Sequence, residues 1–236
     1  MSNASGRFMP DEASFRSARR GLRSPTAAAV AGIVFALLDV ASTVLIRLAV
    51  PQDPAAATDW ILENRSTLVF GLNLIPFAGI AFLWFMGVIR ERLGILEDQF
   101  LSTVVLGSGL LFMGMSFIGG ALIGGLLVAF PAYAEGSIES GLLAFGRTTA
   151  YVVINLYAVR MSAVFMTASA TLWWRTRVMP RWLAAITFPT ALVLLLNTTL
   201  DLWLSLVFAA WVFLVSVLVL ILNMRERARE SSETVD

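Results

Sequence analysis

Apolar runs of roughly 20 residues or more recur along this 236-residue chain, bounded by Arg, Pro or acidic clusters. A helix of that length crosses the roughly 30 Å hydrocarbon core of a bilayer. Lipid offers the backbone no hydrogen-bond partners, so a form that pairs its own N–H and C=O groups is required. Composition agrees: 58% of residues are hydrophobic, 14% are charged and the mean hydropathy is +0.81. A soluble domain carries about a quarter charged residues. The runs predict an all-α polytopic membrane protein with six transmembrane helices, over about 27–48, 67–89, 101–129, 149–172, 183–199 and 202–223. A basic tail, 1–26, expected to be disordered, precedes the transmembrane domain 27–223, and a second tail, 224–236, follows it. Pro76 and Pro189 fall inside helices and read as kinks that a bundle accommodates. Asn197 to Asp201 is short enough to join the last two helices as a tight antiparallel hairpin.

The arginines set an expected orientation. Arg7, Arg16, Arg19, Arg20 and Arg23 precede the first helix, and Arg90 and Arg92 follow the second. Arg175, Arg177 and Arg181 follow the fourth, and Arg225, Arg227 and Arg229 follow the sixth, so thirteen of the 17 cationic residues share one side. The opposite loops hold Arg65 beside Asp53, Asp59, Glu63, Glu135 and Glu139. The positive-inside rule then places both termini in the cytoplasm. The first apolar run is about 22 residues, longer than a signal-peptide core, and is read as a retained helix. The basic tail is suited to anionic headgroups.

Absent residue types exclude much chemistry. The chain has no Cys and no His, and every cationic side chain is Arg, with no Lys. Disulfides, thiolate nucleophiles and thiolate metal sites are excluded. So are imidazole bases, imidazole ligands and a Ser-His-Asp triad. Without Lys there is no Schiff base, no Ser-Lys dyad and no P-loop lysine. Arg stays protonated and does not replace them as a base. No cofactor and no metal site is expected, and the net charge of +1 carries no sign of nucleic-acid binding. Glu97 and Asp98, in the loop that begins Arg90-Glu91-Arg92, offer oxygen ligands for Mg²⁺, but the spaced Asp array of a phosphotransferase is missing. Arg in place of every Lys suits a GC-rich bacterial source.

Several motifs fall within the helices. Helix 3 is Gly-rich, and Ser116, Gly120 and Gly124 form a small-xxx-small row that allows close backbone approach. The row serves packing inside the monomer, a homodimer face or docking onto another membrane subunit. Helix 4 carries Thr148, Asn155, Ser162 and Ser169 at heptad spacing, a stripe that neighbouring helices can hydrogen-bond. Arg160 lies roughly 140° around the helix from Asn155 at 100° per residue. Helix 4 is therefore expected to be central. Asn73, Asn155 and Ser162 are candidate polar lining. Arg47, Asn73, Arg147 and Asp201 gather near the outer face, where the arginines snorkel or shape a mouth for an anion. Trp84, Trp173, Trp174, Trp182 and Trp203 lie near helix ends and read as interface anchors.

Asp39 and Arg160 are the candidate midplane pair. A charge at the bilayer centre costs at least about 2.5–3.5 kcal/mol and needs a partner. At 1.5 Å per residue Asp39 lies about 18 Å inside the inner edge, and Arg160 about 16–17 Å. The depths agree. They fit a buried ion pair that fixes helix register, or a site for a solute or proton.

Two stretches also carry a family likeness. Gly87 to Gly94, with Glu97-Asp98 and Leu106 to Phe112, is one; Tyr157 to Met161 through Met166, with Pro180 to Ala184, is the other. Together they resemble a group of uncharacterised six-helix integral membrane proteins of actinobacteria, over helices 2 to 5. The resemblance implies topology and a plasma-membrane location and no activity. The expected function is a non-enzymatic accessory or scaffold component of the cell envelope. The alternative is a small carrier or lipid-handling protein built on Asp39 and Arg160. Expected partners are the lipid bilayer and, beyond it, other membrane subunits or a second copy.

Overall fold

The computed structural model describes residues 25–49, 63–93, 99–134, 140–176, 179–197 and 202–233. Those residues are helical almost throughout, with no strand among them. The helices are α1 (Pro25–Ala49), α2 (Arg65–Leu93), α3 (Gln99–Ala134), α4 (Ser140–Val152), α5 (Val159–Thr176), α6 (Arg181–Leu196) and α7 (Ser205–Glu233). A single π-helical segment, Val153–Ala158, joins α4 to α5, so the two form one continuous rod. A 3₁₀ turn, Leu202–Leu204, leads into α7. The basic tail, the Glu97-Asp98 loop and most of the 197–201 hairpin lie outside the described residues.

Six rods thus stand where six were expected, with shifted ends. The fourth begins at Ser140 rather than 149, because Leu142, Ala144 and Phe145 continue it beneath a polar-looking stretch. The last runs on to Glu233, past the expected end at 223. Five rods contain a segment long and apolar enough to cross a membrane. The sixth, α6, has 16 residues, or about 24 Å at the helical rise.

The contacts give the rod directions. Gly71 of α2 stands against Leu45 and Ile46, while Gly32 stands against Phe85, so α1 and α2 are antiparallel. Gly120 faces Ile75 and Gly109 faces Met86, so α2 and α3 are antiparallel. Gly119 faces Ile154 and Gly146 faces Leu126, so α3 runs against the α4–α5 rod. Phe35 meets Phe208, and Gly32 meets Ser216, so α7 is antiparallel to α1. Both α5 and α7 therefore run opposite to α1, and α6, the helix between them, carries the chain back. The described chain enters and leaves at one end of the bundle.

Small residues make this packing possible. In lipid the drive for helix association is close van der Waals contact rather than burial from water. A Cβ on Gly32 would overlap the Ser216 hydroxyl and come within 2.7 Å of the Phe85 ring. At the centre five rods contribute one phenylalanine each. Phe35 and Phe82 are 4.8 Å apart by ring centroid, Phe82 and Phe112 5.5 Å, Phe112 and Phe208 4.7 Å, and Phe82 and Phe165 5.4 Å. The tilted and edge-on pairings suit the ring quadrupoles. Beside them Trp173 stacks on Trp211 at 5.6 Å, and Trp211 Nε1 donates to Thr187 Oγ1, tying α5, α6 and α7 together. Trp173 is thus core rather than the interface anchor expected. Trp84, Trp174, Trp182 and Trp203 are exposed, as are Leu37, Phe70, Phe77, Ile80 and Val193, an outer surface suited to lipid.

Candidate functional site

A cavity of about 60 Å³ opens inside the bundle around Asp39. From α1 it takes Asp39, Ser42, Thr43 and Ile46; these lie on one helix face because three- and four-residue steps return to it. From α2 comes Ile75, and from α3 come Phe112, Ser116 and Ile123. The π segment gives Ile154 and Ala158, α5 gives Val159, and α7 gives its first residue, Ser205. Phe112 belongs to the five-ring cluster, so that side of the cavity is closed by packed aromatic rings.

The Asp39 side chain is half-buried and lines this space. Among the described residues it has neither hydrogen-bond nor ion-pair partner. Two of the four hydroxyls in the wall donate to backbone carbonyls. Ser42 Oγ donates to the Gly71 carbonyl at 2.8 Å, across to α2. Ser116 Oγ donates to the Phe112 carbonyl at 2.9 Å, within α3.

Arg160 does not complete the pair. Its Nη1 donates to the carbonyl of Leu156, 3.1 Å away, within the π segment. The rod turns Ile154, Ala158 and Val159 toward Asp39; Arg160, one residue on, faces another sector and folds back along its own helix. Agreement in depth was not enough, because azimuth decides contact.

The π segment also breaks the expected heptad stripe. Asn155, Ser162 and Ser169 are buried, whereas Thr148 is exposed. An i→i+5 turn inserts a residue into the helical register, so positions before it no longer align with those after it. Asn155 Nδ2 donates to the Tyr151 carbonyl at 3.0 Å, and its Oδ1 has no partner. Ser162 Oγ donates to the Val159 carbonyl at 2.7 Å. Neither Asn155 nor Ser162 lines the cavity. Asn73 is exposed and bonds to the Val69 carbonyl of its own helix. Arg147 lies over the Tyr151 ring at 5.7 Å. Ser116 lines the cavity, while Gly120 and Gly124 of the same row face Ile75 and Leu72 of α2.

Sequence reasoning missed Ser42, Thr43 and Ser205. The first two were findable, since they stand three and four residues beyond an intramembrane carboxylate. Ser205 carried no signal, because only the tertiary fold brings the start of α7 to the middle of α1. Among the described residues no group of three or more acidic side chains could hold a metal ion. No family model, curated protein or solved structure matches the chain.

Proposed function

We propose that the chain is a small, non-enzymatic carrier of the bacterial plasma membrane, of six crossings with both termini cytoplasmic, and that its binding site is the Asp39 cavity. One observation carries the reading: a carboxylate with no partner among the described residues faces a cavity walled by five of the six rods. Intramembrane ionisable side chains are costly, and those that serve packing alone are paired. Here the described residues leave the charge unpaired and leave room beside it. The arginine bias and the shared end of α1 and α7 support the orientation.

A carrier must expose its site to both sides in turn. The chain lacks Cys, so single cysteines report accessibility without background. Ile123→Cys and Ile75→Cys, both in the cavity wall, are expected to react with a small membrane-impermeant methanethiosulfonate in right-side-out and in inverted vesicles. Reaction from neither side would reduce the cavity to a packing void and end this reading.

A second reading, an accessory subunit, has its own observation. Between α3 and α4 lies an outward groove of about 490 Å³ lined by residues such as Leu122, Gly125, Leu126, Phe145 and Gly146, with no polar side chain in its wall. Such a surface suits an apolar helix of another subunit. Recovery of a stoichiometric protein partner in mild detergent would favour this reading over the carrier.

A further inference from the structure

We infer that the ligand of the Asp39 cavity is one small monovalent cation, a proton or Na⁺, held by the carboxylate and the hydroxyl oxygens around it. The inference rests on the carrier reading and names its substrate class.

Size sets the first limit. Pockets for drug-sized molecules run to about 300–1,000 Å³. A cavity of about 60 Å³ has room for a bare or partly hydrated ion and on the order of four waters, and for no sugar, nucleotide or lipid headgroup. Charge sets the second. Asp39 is the sole ionisable side chain in the wall; the parts contributed by α2, α3, the π segment, α5 and α7 hold none, and Arg160 is engaged with Leu156. The site therefore has one negative charge to balance and nothing to attract an anion. One carboxylate matches one positive charge. A divalent ion would ask for more acidic ligands than the wall offers.

Hydrogen bonding sets the third. The protons of Ser42 and Ser116 are committed to backbone carbonyls, so their oxygens turn lone pairs to the surroundings. A carboxylate is likewise an acceptor. The polar atoms in this otherwise apolar wall are all oxygens, and a carboxylate with acceptor hydroxyls beside it is complementary to a proton or a hard metal cation. The aromatic cluster behind Phe112 closes the site on one side, as a hydrophobic constriction does in a conduction path.

The experiment uses the full chain in vesicles and in detergent. Ile123→Cys is labelled in sodium chloride and in choline chloride of equal ionic strength. Sodium is expected to slow labelling roughly tenfold once it exceeds its Kd tenfold, and Asp39→Asn in the same background to remove that protection. The proton is tested separately, by melting the parent and Asp39→Asn in choline buffer between about pH 5 and 9. A pH-dependent melting temperature in the parent that the variant lacks identifies the proton as ligand. Ile75→Cys repeats the measurement should Ile123→Cys not fold. Brisk labelling that sodium leaves unchanged, with identical pH profiles for parent and variant, overturns the cation and leaves the carrier standing. Absence of labelling from either side overturns the carrier, and the cation with it.

Discussion

The Arg160 guanidinium donates to the carbonyl of Leu156, 3.1 Å away, and leaves the Asp39 carboxylate without a partner among the described residues. Of these two opposite charges, one is satisfied by its own helix and the other is not satisfied by any described residue. Arg160 is a long side chain that can fold back on its own helix. Asp39 is short and has no such escape. The distinction makes the two residues energetically separable.

The first prediction follows. Groups that share no partner give additive effects, within about 0.5 kcal/mol, whereas a broken buried pair typically costs about 3–5 kcal/mol. Asp39→Asn and Arg160→Gln, alone and together, should therefore shift the detergent melting temperature additively. The charge swap, Asp39→Arg with Arg160→Asp, should rescue neither. A coupling above about 1 kcal/mol in this cycle would mean that the two residues pair after all.

The Trp211–Thr187 bond gives a second. Thr187 Oγ1 accepts from the buried indole at 2.8 Å and donates to the Leu183 carbonyl at 2.7 Å. Thr187→Val keeps the shape and strands the indole N–H, at a cost of about 1–3 kcal/mol. Thr187→Ser keeps the hydroxyl and should lose less. The measurement is thermal unfolding of both variants. Equal losses in the two would show that methyl packing, and not the hydrogen bond, matters at this position.

How far the sequence speaks depends on what is asked of it. The rods were legible because apolar runs of bilayer length admit few other forms. The early start of α4 was not, because Gly141, Gly146, Arg147 and Thr148 interrupt its apolar pattern while Leu142 and Phe145 sustain it. Depth could be estimated from residue count and rise, and it singled out Asp39, which lines the cavity. Azimuth was not legible. The π segment has no signature in Val153–Ala158, yet it sets which residues face Asp39 and drops Thr148 from the stripe. Trp173 shows the same limit: its place near a helix end suggested the interface, and only the approach of Trp211 from α7 makes it core.

Glycine substitutions test the packing directly. In Gly32→Ala the new methyl meets the Ser216 hydroxyl and the Phe85 ring, with backbone on either side held by the bundle. Overpacking of this kind costs about 1–3 kcal/mol. A Cβ at Gly114 has no atom within 4 Å. Gly114→Ala should be neutral or raise stability by up to about 1 kcal/mol, through helix propensity. Comparable losses for the two variants would refute the α1–α7 contact at Gly32.

The shortness of α6 leads to the last prediction. Its 16 residues reach about 24 Å, less than the hydrocarbon core, yet α5 and α7 both run opposite to α1 and the chain must return between them. A short helix is accommodated by local thinning of the bilayer and by snorkelling of flanking residues, at a modest cost per ångström. Arg181 begins α6 and lies over the Trp174 ring at 6.0 Å, a pairing suited to the headgroup region. If α6 crosses, its two ends label from opposite sides. Cysteines placed singly at Ala56, Gly136 and Asn197 should react with an impermeant thiol reagent in intact cells. Those at Gly94, Thr176 and Ser231 should react only after the cells are opened. Labelling of Asn197→Cys from the cytoplasmic side would make α6 a re-entrant segment and put the C-terminal tail outside. Labelling of Gly94→Cys in intact cells would invert the whole arrangement.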